Sequence, residues 1–216
     1  MSETRTRSIT GAIFGLVVVA AVSWSFWTNA VLWILIGFQA MREMHNGSQS
    51  KSGLLRIAFA VAVTAWVYLM CQLASGPAGS HAPWQVLSLL FLIWSNDSGA
   101  YFIGKPFGKN KLMPSVSPGK SWEGFAGGAA FAAIAAGLLF GWSASWIGPL
   151  MAVLATAGDL LESAWKRSNG LKDSGAMMPG HGGVLDRFDG FTIAAPAYAI
   201  ILYSLPFSFH LKFLYS

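Results

Sequence analysis

Apolar stretches of helical length alternate with short polar segments along the whole chain. Seven of them are visible, at roughly residues 9–24, 27–41, 54–75, 83–104, 122–142, 145–165 and 191–209. A bilayer core about 30 Å thick needs about 20 apolar residues per helical span, and backbone inside it must satisfy its own hydrogen bonds. The pattern therefore predicts an all-α fold: a polytopic helical membrane protein with about seven transmembrane helices. The first two stretches fall short of a full span and predict a short helical hairpin turning near residues 25–29. No internal repeat, heptad array or low-complexity segment interrupts the pattern. The expected organisation is a group of N-terminal helices, 1–90, and a C-terminal region carrying the long polar loops, 91–216, in one integrated membrane domain.

Composition agrees, with 54% of the 216 residues hydrophobic and 11% charged. Between residues 57 and 104 the only formal charge is Asp97. Placing the N-terminus in the cytoplasm puts 13 of the 14 Lys and Arg residues on the cytoplasmic side, leaving only Lys212 outside. That split follows the positive-inside bias, so an N-in, C-out topology is expected. The net charge of +5 is then a consequence of topology and is no sign of nucleic acid. The lone Cys71 excludes an intrachain disulfide framework. The first apolar run has no clear small-x-small cleavage site, and no removable signal peptide is expected.

The acids are not spread evenly. Seven of nine fall between Asp97 and Asp189, each in or beside one of the two later cytoplasmic loops. Charge near a bilayer is costly unless paired or solvated, so such a cluster marks a functional site. Asp159 and Glu162, in "GDLLESAWKR", are three apart on one helix face, and Asp186 and Asp189, in "DRFD", repeat that spacing. Carboxylate pairs of this kind suit Mg²⁺, which takes one or two carboxylates and leaves positions for water and phosphate. Lys166, Arg167, Lys172 and Arg187 stand among them as phosphate-neutralising cations. Gly170, Gly175, Gly180, Gly182, Gly183 and Gly190 would let the backbone approach an anionic ligand. A cation pathway would need carboxylates without this basic glycine loop, which argues against a transporter.

The run "PSVSPGKS" ends like a P-loop, but position 114 is Pro where that pattern needs Gly, and no β-strand is expected before it. The stretch from Ser163 to Asp189 instead resembles the signature of the phosphatidate cytidylyltransferases, or CDP-diacylglycerol synthases. The resemblance rests on "SAWKRSNGLKD" followed by "PGHGGVLDRFD". An upstream block, "SNDSGAYFIGKPFGKNKL" with "SPGKSWEG", agrees, with Gly119 in place of a Lys and Ser121 in place of a Thr. The motifs cover about residues 95–190; the first half resembles the family only in hydropathy, and the chain is shorter than its bacterial members usually are.

The resemblance implies that CTP and phosphatidate give CDP-diacylglycerol and pyrophosphate, with Mg²⁺ as cofactor, at the cytoplasmic face of a bacterial inner membrane. It makes Asp159 and Asp186 the metal ligands, and Lys166, Lys172 and Arg187 the catalytic cations. Ser163, Arg167, His181, Gly182, Gly183 and Asp189 would line the substrate pocket, closed from upstream by Asp97, Ser117, Lys120 and Glu123. The expected partners are CTP, phosphatidate and membrane lipid, without nucleic acid, and a homodimer is left open. Rival readings are a CTP-dependent polyprenol or phytol kinase, a cation transporter and a non-catalytic homologue.

Overall fold

The structure, a computed structural model, describes residues 3–47, 53–76, 79–175 and 182–204. It is almost wholly helical. The long helices are α1 (Glu3–Trp24), α2 (Phe26–Gly47), α3 (Gly53–Leu73), α4 (Trp84–Phe107), α5 (Trp122–Phe140), α6 (Ile147–Ser168) and α8 (Phe191–Ser204). A four-residue helix α7 (Leu185–Phe188) precedes the last, and strands β1 (Lys111–Met113) and β2 (Ser117–Ser121) form a small antiparallel ribbon between α4 and α5.

Each apolar stretch of the sequence thus coincides with one helix. Among the described residues, four segments are long and apolar enough to cross a membrane: Arg56–Leu73, Trp84–Phe107, Trp122–Phe140 and Trp142–Ser168. The apolar part of α1, Ile9–Trp24, is shorter. The fold is an integral, polytopic, all-α membrane protein. The end of the seventh stretch, beyond Ser204, lies outside the described residues.

The described residues form two compact units, one within 1–87 and 164–189, the other within 88–163 and 190–216. In the first, the α1–α2 turn falls at a single residue, Ser25. Its Oγ accepts from the Thr28 N–H at 3.2 Å, while Thr28 Oγ1 accepts from the Ser25 N–H at 3.1 Å. This reciprocal capping satisfies helix-start donors that would otherwise be stranded. The hairpin is longer than expected, with 22 residues in each helix, because polar turns extend both helices beyond their apolar stretches. Trp33 of α2 is fully buried and meets Trp66 of α3 and Phe188 of α7 edge-on, at centroid separations of 5.4 and 5.6 Å. Phe14 of α1 also abuts Phe188, at 5.9 Å. Such aromatic pairs contribute about 0.5–1.5 kcal/mol each beyond burial, and here they anchor α7 to the helices of its unit.

In the second unit small residues set the helix spacing, as expected where lipid offers little hydrophobic drive between helices. A Cβ on Gly99 of α4 would stand 2.7 Å from the carbonyl oxygen of Gly127 of α5, and one on Gly128 would stand 2.7 Å from that of Asn96. A Cβ on Gly148 of α6 would overlap the Ala132 backbone. Ser88 of α4 and Tyr198 of α8 share a buried hydroxyl hydrogen bond of 2.5 Å. At the start of α5, Ser121 Oγ accepts from the Gly124 N–H at 3.1 Å, an N-cap worth about 1 kcal/mol.

The ribbon corrects one expectation. A short strand, Lys111–Met113, does precede the Gly119-Lys120-Ser121 run, and that run itself lies on β2. Extended backbone there forms no phosphate-wrapping loop, so the exclusion of a P-loop stands.

Candidate active site

In the first unit, the last turn of α6 and the segment leading to α7 bring the signature residues together. Lys166 is buried and its Nζ donates to Asp186 Oδ1 at 2.5 Å. Asp186 Oδ2 accepts from the Gly183 N–H at 2.7 Å, the Ser174 N–H at 2.9 Å and the Ser174 hydroxyl at 3.0 Å. Burial pushes the Asp186 carboxyl up. The hydrogen bond from Lys166, the two backbone N–H groups and the Lys166 charge outweigh that and hold it below the ordinary carboxylate range. A carboxylate so supported is ionised at neutral pH, and it is aimed by backbone and side chain together.

The glycines beside it have a more local purpose than ligand approach alone. Gly182 takes a left-handed φ of 79°, and a Cβ there would stand 2.6 Å from Asp186 Oδ2. A Cβ on Gly183 would overlap Ser174 Oγ and a carboxylate that the sequence reading passed over, that of Glu43. Glu43 sits in the last turn of α2 and is only 4% exposed. Its oxygens accept from the N–H groups of Val184 at 2.9 Å and Leu185 at 3.0 Å, and from Ser174 Oγ at 3.0 Å. The one sequence signal was an acid on a mostly apolar helix, and nothing nearby in the chain marks its partners in the signature segment.

The other signature residues of this unit are placed as follows. Lys172 and Arg187 are exposed, and Asp189 is half-buried. Arg167 is exposed and donates from Nη1 to the Leu171 carbonyl at 3.0 Å, closing the turn after α6. His181 lies outside the described residues, as does the rest of 176–181.

The second unit holds the upstream set. Lys120 of β2 forms an ion pair with Asp159 of α6, both side chains 29% exposed. Ser163, one helical turn on, donates to Asp159 Oδ1 at 3.2 Å. Asp97 accepts from Asn96 Nδ2 at 3.2 Å. Asn96, Asp97, Tyr101, Lys105, Lys120 and Thr156 are among the residues lining a cleft of about 440 Å³, within the range of small-molecule sites. The buried Asn96 Oδ1 has no hydrogen-bond partner among the described residues. Ser117 sits on β2 opposite Met113. Glu123 is turned to the ribbon, where its oxygens accept from the Asn110 N–H and, at 2.7 Å, from the Asn110 side chain.

Among the described residues no group of three or more His, Cys, Asp or Glu side chains is arranged to hold a metal ion. Of the expected metal ligands, Asp159 pairs with Lys120 in the second unit and Asp186 with Lys166 in the first. Neither carboxylate alone makes an all-protein cage; Mg²⁺ is the kind of ion that takes one or two carboxylates and completes its shell with water and phosphate.

Residues 56–205 match the Cytidylyltransferase family. Curated relatives carry the name phosphatidate cytidylyltransferase. One from Haemophilus influenzae is 38% identical over 200 residues, covering 85% of this chain and 67% of the relative. One from Pseudomonas aeruginosa is 40% identical over 204 residues, covering 88% and 70%. One from Brucella suis is 34% identical over 253 residues, covering 90% and 92%.

Proposed function

The chain belongs to the cytidylyltransferase family, and from that premise we propose that it is a phosphatidate cytidylyltransferase of phospholipid biosynthesis. It joins CTP to phosphatidate, giving CDP-diacylglycerol and pyrophosphate. The observation that carries this reading is the pair of lysine–aspartate couples, Lys166–Asp186 and Lys120–Asp159, both within the family-matched residues.

A phosphate oxygen of phosphatidate forms a bond to the α-phosphorus of CTP, and the α–β anhydride bond breaks to release pyrophosphate. The nucleophile is already an anion, so no general base is required. What the reaction needs is positioning and neutralisation of phosphate charge. Lys166 and Lys120 supply ammonium groups whose direction is fixed by a carboxylate partner. Lys172 and Arg187, both exposed, are the cations that in this reading meet an incoming phosphate. Asp159 and Asp186 are the carboxylates that fit Mg²⁺. When bound, the ion neutralises triphosphate oxygens and polarises the phosphorus under attack. The lipid substrate and the water-soluble nucleotide meet at the membrane surface, and the positive-inside split of basic residues favours the cytoplasmic face of a bacterial inner membrane.

The test is to incubate purified protein with labelled CTP, Mg²⁺ and either phosphatidate or a polyprenol. Labelled CDP-diacylglycerol is the expected product, with pyrophosphate released. A phosphorylated polyprenol with CDP would favour the kinase reading instead. Absence of product from both lipids would overturn the enzymatic assignment.

A further inference from the structure

Glu43 lies ahead of the family-matched residues 56–205, yet its carboxylate accepts as many hydrogen bonds as that of Asp186. At 4% exposure it is a buried charge, which is costly unless hydrogen bonds compensate. Four donors do so. Oε1 takes the Gln39 amide at 3.0 Å and the Val184 N–H at 2.9 Å, while Oε2 takes the Leu185 N–H and Ser174 Oγ, each at 3.0 Å. That uses the acceptor capacity of a carboxylate almost in full.

The partners are arranged with a purpose. Ser174 stands before residues 176–181 and Val184–Leu185 stand after them, so one side chain of α2 holds both ends of the signature segment. The chain has made room for it: a Cβ on Gly175 would stand 3.0 Å from the Glu43 carboxyl carbon, and one on Gly183 would overlap it. Ser174 Oγ is also 3.0 Å from both Glu43 Oε2 and Asp186 Oδ2. A hydroxyl has one proton to donate, so the two carboxylates share it.

We propose that Glu43 is a positioning residue of the active site, clasping both ends of the 174–185 segment and, through the Ser174 hydroxyl, fixing the Asp186 carboxylate. Its effect on turnover rests on the function proposed above; the clasp itself does not. Glu43→Gln keeps the shape but turns an amide NH₂ toward either the Val184 or the Leu185 N–H, a group that can only donate, so the clasp opens at that end.

Hydrogen exchange on the whole purified protein tests the clasp without substrate. Peptides covering 182–188 should exchange at least about tenfold faster in Glu43→Gln, while peptides from α5 keep the parental rate. In the assay, kcat should fall at least about tenfold with KM for CTP changed less than about threefold, the pattern of a misaimed group. Adding Ser174→Ala should cost much less in the Glu43→Gln background than in the parent, because both changes remove one shared hydrogen bond. Should Glu43→Gln exchange rapidly everywhere, Ser174→Ala becomes the variant to read, and it must loosen 182–188 locally. Parental exchange at 182–188 overturns the clasp whether or not the protein turns over CTP. Fast local exchange with parental kcat overturns the positioning role, and so do additive effects of the two changes. A parent protein that forms no CDP-lipid would instead count against the function, with the exchange result still deciding the clasp.

Discussion

At the scale of single residues, the site depends on which charges are aimed and which merely lie on the surface. Asp186 is aimed, with Lys166 on one oxygen and three donors on the other. Asp186→Asn is expected to lower kcat by at least about a hundredfold, the scale of losing a major electrostatic contact, as measured in the CTP assay on folded protein. Asp159→Asn should do the same, since its carboxylate orients Lys120 and is the other candidate for metal. Among exposed cations, Lys172→Ala and Arg187→Ala should lower kcat/KM by about 2–4 kcal/mol of transition-state binding. Arg42→Ala and Arg56→Ala, at the α2–α3 end, should stay within a few-fold, their simplest role being to meet anionic lipid headgroups. Equal losses in all four would mean that these cations act through membrane placement. The aspartates and lysines were legible in the sequence because local spacing carries them. Glu43 was not, because its partners in the signature segment stand 131 to 142 positions away and only folding brings them near.

At the scale of elements, helices were legible and their contacts were not. Apolar length fixes where a helix runs in lipid, since no other backbone conformation satisfies its hydrogen bonds there within a single segment. It does not show which faces meet. Gly99 looks like an incidental glycine in α4, yet a Cβ there would press on a backbone carbonyl of α5 that has no rotamer to change. Gly99→Val is therefore expected to lower the yield of monodisperse protein and its melting temperature in detergent. Gly53→Ala, with nothing within 4 Å, should change neither. Parental stability of Gly99→Val would mean that α4 and α5 do not approach as closely as described. The β1–β2 ribbon was missed for a related reason. Its strands are three and five residues long, and β2 contains Pro118 and Gly119, residues that argue against a strand. The ribbon forms because the Asn110 backbone and side chain hold Glu123 at the start of α5, a tertiary tie that periodicity cannot report.

At the scale of the whole molecule, the bilayer decides which reactions are open to the site. The substrate pairing proposed here needs a lipid phosphate and a cytoplasmic nucleotide, so both signature segments must lie on the face where CTP is made. The basic residues predict that placement: Arg42, Lys105, Lys109, Lys111, Lys120, Lys166, Arg167, Lys172 and Arg187 all flank helix ends assigned to the cytoplasm. Two exposed serines make the prediction testable. Ser168 ends α6 beside the signature segment, and Ser143 lies in the turn between α5 and α6, one span away. With Cys71 replaced by Ala, a cysteine at Ser168 should react with a membrane-impermeant maleimide only in inside-out vesicles. A cysteine at Ser143 should react only in intact cells or right-side-out spheroplasts. Ser174, though central to the signature, would be a poor reporter, since it is buried and its hydroxyl is bound to both Glu43 and Asp186. Reversal of both labelling patterns would place the lysine–aspartate couples on the side without CTP. The cytidylyl transfer proposed here could not then proceed in the cell, however well the isolated protein performed it.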